Sequence, residues 1–453
     1  MASAAGSSTA VQAGRSGPSH TNQGLSTTDE IVTQIRTTDN VADLNLRLKN
    51  VASAKDVRQT FLSGLLSSGQ DPLETLELPR HTLGYLYILS ARLQATTVPK
   101  PALTVIQEFC SLFDPPQARL APDQVTALAN GIVQVSQEAD NLKVALSPLY
   151  KLVTRYPPSL SHLTTLHRMF VMTCVGTQHF SAALPVLSVP ITNIDLTISD
   201  LTYNDNLIYH YAGGVAFGAL KRWREAEEFF EICASSPAQV PAAIQLEASK
   251  KLVLVQLILY GQTVPPPRYT NPNLTRLLKN SPYGKYIKAY PLPRSALYAA
   301  IEKDNELFTN EKNLGLIHQT IDRAPRWLIK KLISTYLTLG LADIAKEVSI
   351  DSEDEIRDII VNMIESGEIS ASISADGTVT FLDPILQISK AEVDKVLKQA
   401  QEQSKLLLGL ERAMNSNKDY LTKAVKHKDE AWGPDDDMYN AGGGGGWVEE
   451  SVM

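Results

Sequence analysis

Cysteine is scarce in this chain. Cys110, Cys174 and Cys233 are the three among 453 residues, and they lie far apart with no C-x-x-C pair. Neither a disulfide framework nor a thiolate metal cluster is expected from that usage, which reads as buried free thiols in a reducing compartment. Long apolar runs are missing too. The strongest, "LVLVQLILY" at 252–260, contains Gln256 and is far too short to cross a bilayer. The opening "MASAAGSSTAVQAGRSGPSH" has no apolar h-region, so no signal peptide is expected and the chain is assigned to cytoplasm and nucleus. Net charge is only −7, which excludes a global pull toward nucleic acid or anionic membrane.

The constellations that carry chemistry are also wanting. "AGGVAFG" at 212–218 has close glycines but no following Lys-Ser/Thr, so helix packing is the better reading than phosphate binding. His162 and His167 are five apart with no Glu between them and read as core or surface histidines. G-x-S-x-G does not occur, no cysteine has the spacing of a nucleophile, and Asp435–Asp437 reads as a solvated acidic run. No catalytic, cofactor-binding or metal-binding residue is expected; the chain reads as no enzyme. One stretch keeps a nucleic-acid reading open. Residues 265–294 carry seven prolines and six basic residues without an acid, and Arg268, Arg276, Lys279, Lys285 and Lys288 interleave with Tyr283, Tyr286 and Tyr290. The alternative is a turn region between stacked helices whose charges are solvated.

What the chain has in abundance is helical periodicity. Leucines from Leu44 to Leu66 open the series, and segments near 81–95, 101–114, 123–137 and 141–156 follow. In "IYHYAGGVAFGALKRWREAEEFFEICASSP", Gly214, Phe217, Ala226 and Phe230 fall at tetratricopeptide spacings, with Pro237 ending the second helix. Gly and Ala let two backbones approach while the aromatics fill the groove. Ala183 and Leu187 stand at the corresponding places upstream, 43 residues earlier rather than the strict repeat length, so the repeats are degenerate.

Residues 349–383 change character. Ser352-x-x-Glu355 fits a capping box, Ile356, Ile359, Ile360, Met363 and Ile364 recur at helical spacing, and Gly367 stands at the stop. Ile369, Ala371 and Ile373 then alternate, Asp376-Gly377 turns, and Val379 and Phe381 return. With "APRWLIKKLISTYLTLG" and "LADIAKEVSI" read as two preceding helices, this is a winged helix. DNA reading is disfavoured: Asp351–Glu368 holds seven acids against Arg357 alone, and phosphate affinity needs basic side chains. Further on, residues 388–421 form a long helix whose Val393, Val396, Ala400, Leu407, Leu410 and Met414 keep a heptad seam, interrupted at Gln403, that requires partner helices.

The expected architecture is mainly α: a right-handed stack of TPR-like repeats, then a winged helix and a long C-terminal helix. The divisions are 1–27 disordered tail, 28–200 N-terminal repeats, 201–325 TPR-like part, 326–385 winged helix, 386–425 bundle helix, and 426–453 disordered acidic Gly-rich tail. Helical repeats running into a winged helix resemble the PCI-domain family, scaffold subunits of large complexes. Within it, "YHYAGGVAFGALKRWREAEEFFEICASSP", "ELFTNEKNLGLIHQ" and "MIESGEISASISADGTVTFLD" resemble the third-subunit family of the COP-nine signalosome, chiefly over residues 200–385. That resemblance implies a non-catalytic scaffold in a complex that removes the ubiquitin-like modifier from cullin-RING ligases. It implies other PCI subunits as neighbours, and a separate zinc metalloprotease subunit whose H-x-H signature is absent here. It also implies two assembly surfaces: the wing strand Thr378, Val379, Thr380, Phe381 and Leu382 pairing edge to edge, and the seam Val393–Met414 entering a helical bundle. The alternatives are a PCI subunit of the proteasome lid, or a nucleic-acid-associated PCI protein using 265–294.

Overall fold

The computed structural model describes residues 27–51, 55–96, 98–383 and 389–423. Both expected tails lie outside that range, except Thr27, whose Oγ1 accepts the Glu30 N–H at 3.3 Å and caps the first helix.

Helices pack on helices through the first half of the chain. Thr82–Gln94, "TLGYLYILSARLQ", is buried from Thr82 to Leu93, because it is apolar on almost every side and is wrapped by the helices around it. A continuous hydrophobic core extends from Ile31 to Val255 and takes in Phe109, Phe170, Phe217 and Phe230. The expected boundary at 200/201 falls inside this core. A second core, from Leu254 to Ala324, forms around Tyr283, Tyr286, Phe308 and Ile317, and a third runs from Ile329 to Phe381. The three cysteines are buried and unpaired, and burial pushes each thiol up to about 12, so none is a thiolate. His167 is a core residue: its Nδ1 takes the Thr164 N–H at 3.1 Å, and burial holds its pKa down to about 4.

The 265–294 stretch is not a turn. Pro272–Asn280 and Pro282–Ala289 are both helices, each with a proline at its first position, where the missing N–H costs nothing and φ is already helical. High proline content was misleading because two prolines start helices here. Tyr283, Tyr286 and Tyr290 are buried, and their hydroxyls are spent inside: Tyr283 on Glu311 at 2.7 Å, Tyr286 on Thr320 Oγ1 at 2.5 Å, Tyr290 on the Thr320 carbonyl at 2.8 Å. No stacking platform for bases is left on these rings.

The wing is larger than a hairpin. "APRWLIKKLI" completes a helix from Leu314 to Ile333, and "TLG" becomes strand β3, Thr338–Gly340, rather than more helix. (A two-residue parallel pair, β1 His162–Leu163 with β2 Asn193–Ile194, lies far upstream.) Helices Leu341–Val348 and Glu353–Glu365 follow, then β4 Ser370–Ile373 and β5 Thr378–Leu382. The sheet order is β3-β5-β4, antiparallel throughout, with Thr338 opposite Thr380 and Ala371 opposite Phe381. Gly367 closes the third wing helix at φ +68°, a left-handed conformation that suits glycine. The Ser352 cap is half a capping box: Oγ accepts the Glu355 N–H at 3.3 Å, but the Glu355 carboxylate goes to Arg294 at 2.6 Å.

Candidate assembly surfaces

Gly214, Phe217, Ala226 and Phe230 meet where helix Tyr203–Ala219 crosses Trp223–Ser235. A Cβ on Gly214 would stand 2.7 Å from the Phe230 ring, and one on Gly213 would stand 2.5 Å from Phe229. Phe217 meets Phe229 edge to face at 5.1 Å, and Ala226 is fully buried. Leu187 of the preceding repeat approaches the same spot, its Cδ2 3.0 Å from the Cβ position of Gly213. This close approach sets the stacking of the repeats that carry the wing.

β5 is the centre of the wing sheet. Leu339 and Ile373 flank Val379 on opposite sides, and the Phe381 N–H is taken by the Leu337 carbonyl at 2.8 Å. Thr378–Leu382 therefore cannot be the edge that receives a partner strand, because its ladder is already filled, and Val379 and Phe381 are buried in the third core. Within the wing sheet the strands with one unpaired side are β3 and β4. Leu382 at the strand's end, with Tyr336 and Leu337 beside β3, is exposed. Along the acidic third helix, Arg294 holds Glu355 and Arg357 holds Asp354, whereas Asp351, Glu353, Asp358 and Glu365 have no ion pair among the described residues.

The helix Lys390–Ser416 is the second surface. Ser389 and Glu392 form a full reciprocal cap, with Oγ to the Glu392 N–H at 3.2 Å and the carboxylate to the Ser389 N–H at 2.9 Å. None of its 27 residues is buried. Val393, Val396, Leu407, Leu410 and Met414 are between 42% and 66% exposed. An isolated helix with that apolar load is marginal in water, since packing supplies most helical stability.

Two polar clusters hold the wing and the second core to the repeats, and neither is visible as a motif. Glu368, directly after the Gly367 stop, takes Arg323 Nη2 at 2.9 Å and Arg326 Nη1 at 2.8 Å, with Lys330 Nζ 3.3 Å from its other oxygen. Burial would raise that carboxyl's pKa, but the three cations outweigh it and hold the group below its ordinary value. Lys330 also lies 4.4 Å over the Trp327 ring, which packs on Gly261. Deeper, Asn313 is fully buried and donates to the Tyr283 hydroxyl at 2.7 Å while accepting from Lys251. Glu311 accepts from Tyr283 and from Lys250, the latter at 2.6 Å. Glu311 and Asn313 fall in "ELFTNEKNLGLIHQ", a stretch marked by resemblance rather than by chemistry, and Tyr283 falls in the tyrosine-interleaved stretch.

Comparison with known proteins meets this architecture. Residues 46–274 match the family model described as COP9 signalosome complex subunit 3, N-terminal helical repeats, and 299–383 match the PCI domain. A relative from Drosophila melanogaster, COP9 signalosome complex subunit 3, is 29% identical over 385 residues, covering 79% of this chain and 86% of its own length. A relative of the same name from Dictyostelium discoideum is 30% identical over 320 residues, 68% of this chain and 75% of its own. The chain belongs to the COP9 signalosome complex subunit 3 family, a family of non-catalytic PCI subunits.

Proposed function

We propose that this chain is a scaffold subunit of the COP9 signalosome. In that role it supports removal of the ubiquitin-like modifier from cullin-RING ligases without performing the hydrolysis. The observation that carries this reading is the Lys390–Ser416 helix, well capped and amphipathic, whose apolar seam has no residue buried by its own chain. A helix of that kind is made for a bundle contributed by other subunits. The winged helix serves as the second contact, through β3 or β4 and neighbouring PCI subunits. The zinc metalloprotease subunit and the cullin-RING ligases are reached through the complex, in cytoplasm and nucleus. The names of the relatives favour this complex over the proteasome lid. The burial of Tyr283, Tyr286 and Tyr290 weighs against the nucleic-acid reading of 265–294.

The test is native affinity purification of the chain from its own cells, comparing wild type with Leu407→Asp and Leu410→Asp. Wild type should bring down PCI subunits with a metalloprotease, and each variant should lose them while its melting temperature is unchanged. Equal loss of stability in the isolated chain would mean that the seam packs internally, and the reading would fall.

A further inference from the structure

The helix pair Pro272–Asn280 and Pro282–Ala289 carries a one-sided charge that the scaffold role leaves unused. Between Glu247 and Glu302 the chain has no acidic residue, yet Lys250, Lys251, Arg268, Arg276, Lys279, Lys285, Lys288 and Arg294 fall inside it. Lys250 and Arg294 are neutralised by Glu311 and Glu355, and Lys251 is buried on Asn313. Arg268, Arg276, Lys279, Lys285 and Lys288 are exposed and have no carboxylate partner among the described residues. In a chain of net charge −7 this is a local excess of the opposite sign.

A cavity of about 290 Å³ opens beside these cations, between the pair and helices Trp223–Ser235 and Ala243–Tyr260. Leu252, Val253, Leu274, Leu278 and Ile287 make its walls apolar, and Lys279 and Lys288 line it as well. Glu231 is its one acid, placed with Glu227 and Glu228 on the opposite helix. Thr270 Oγ1, also on the lining, is buried without a hydrogen-bond partner in the protein. Apolar walls with a few convergent polar groups are the make-up of a binding pocket. The volume suits one large side chain, and the surrounding cations extend beyond it along both helices. Tyr269 is the exposed ring of this stretch and Tyr283, Tyr286 and Tyr290 are buried, so a single strand would find one stacking ring here rather than a platform.

We propose that this face docks an acidic peptide segment of a partner protein, with one bulky apolar side chain in the cavity and flanking carboxylates on Lys279 and Lys288. Such a partner combines the pocket anchor of a protein interface with recognition of an acidic motif by clustered cations. The proposal stands apart from the bundle helix and the wing, so it survives or fails independently of the assembly reading.

The experiment uses the full chain and a fluorescein-labelled nonapeptide of one tryptophan centred among eight aspartates, read by anisotropy. Saturable binding is expected, weakened about tenfold or more by Lys279→Glu with Lys288→Glu, and about tenfold or more when alanine replaces the peptide's tryptophan. Both lysines are exposed, so the variant is expected to fold, and its circular dichroism checks this. Equal affinity for the alanine peptide would show that charge acts alone and would overturn the cavity's role. Indifference to the charge reversal would overturn the site, and so would absence of binding up to about 1 mM peptide. Tighter capture of duplex RNA or of phosphatidylserine vesicles than of the peptide would reassign the face to another class of ligand.

Discussion

Glu368 is one carboxylate set against three cations, and it joins the wing to the helix below. Replacing it with glutamine keeps the shape and leaves Arg323, Arg326 and Lys330 repelling one another. Its side chain is only 14% exposed, but its partners are a quarter to a third exposed, so solvent screening cuts the cost below that of a deeply buried pair. About 1–2 kcal/mol of stability should be lost at neutral pH, seen in urea titrations. The folded pKa is depressed, so this contribution is full above the ordinary glutamate value of about 4.3 and disappears as pH falls through the lower folded value. Wild type and Glu368→Gln should therefore converge in melting temperature under acid and diverge toward neutrality. A gap that does not change with pH would mean that the carboxylate acts through shape. Gly214 makes a steric prediction instead. Gly214→Val should cost about 1–3 kcal/mol by driving the Phe230 ring aside. Phe230→Leu should recover part of that cost in the double variant, measured as a coupling energy. Of these two sites the glycine was legible in sequence, because Gly and Phe at repeat spacings have a single packing use. Glu368 was not, since its partners lie some 40 residues earlier and a lone glutamate after a helix stop carries no pattern.

At the scale of the element, the third wing helix and its return strands could be read from periodicity, capping and Asp376-Gly377. The place of β5 in the sheet could not. Only β3 makes β5 central, and β3 is three residues of "TLG" without alternation, placed directly after a helix. Proline content misled at 265–294 because composition does not separate a proline that starts a helix from one that ends it. The bundle helix offers a finer reading than its seam. At about 100° per residue, Val393, Val396, Leu397 and Ala400 occupy an arc of about 100°, the width of one partner helix. After Gln403, Leu406, Leu407, Leu408, Leu410, Ala413 and Met414 spread over about 220°, which one neighbour cannot cover. In the assembled complex, cysteines placed singly at Leu406 and Leu408 should both resist maleimide, while one at Lys398, opposite the narrow arc, should stay reactive. In the isolated chain all three should react. The native cysteines are buried and protonated, so they add little background. Reaction at Leu408→Cys inside the complex would reduce the second half of the helix to a single partner.

Across the whole molecule, stability and assembly occupy different residues. The three cores take in apolar residues from Ile31 to Phe381, and none comes from the terminal helix. Among the described residues the hydrophobic energy of folding is therefore complete before Lys390, and the apolar surface of Lys390–Ser416 contributes only when a partner arrives. A chain truncated after Ser389 should melt within about 1–2 °C of the full chain, because the helix Lys390–Ser416 has no buried residue to lose. It should also fail to enter the complex. In the isolated full chain the amides of Lys390–Ser416 should exchange far faster than those of Thr82–Gln94, whose residues are buried almost throughout. Inside the complex they should become slow, with the wide arc after Gln403 protected most. Both halves of the outcome are needed. A truncated chain that melts early would place the helix in the fold, whereas one that melts normally and still assembles would leave β3 and β4 as sufficient contacts.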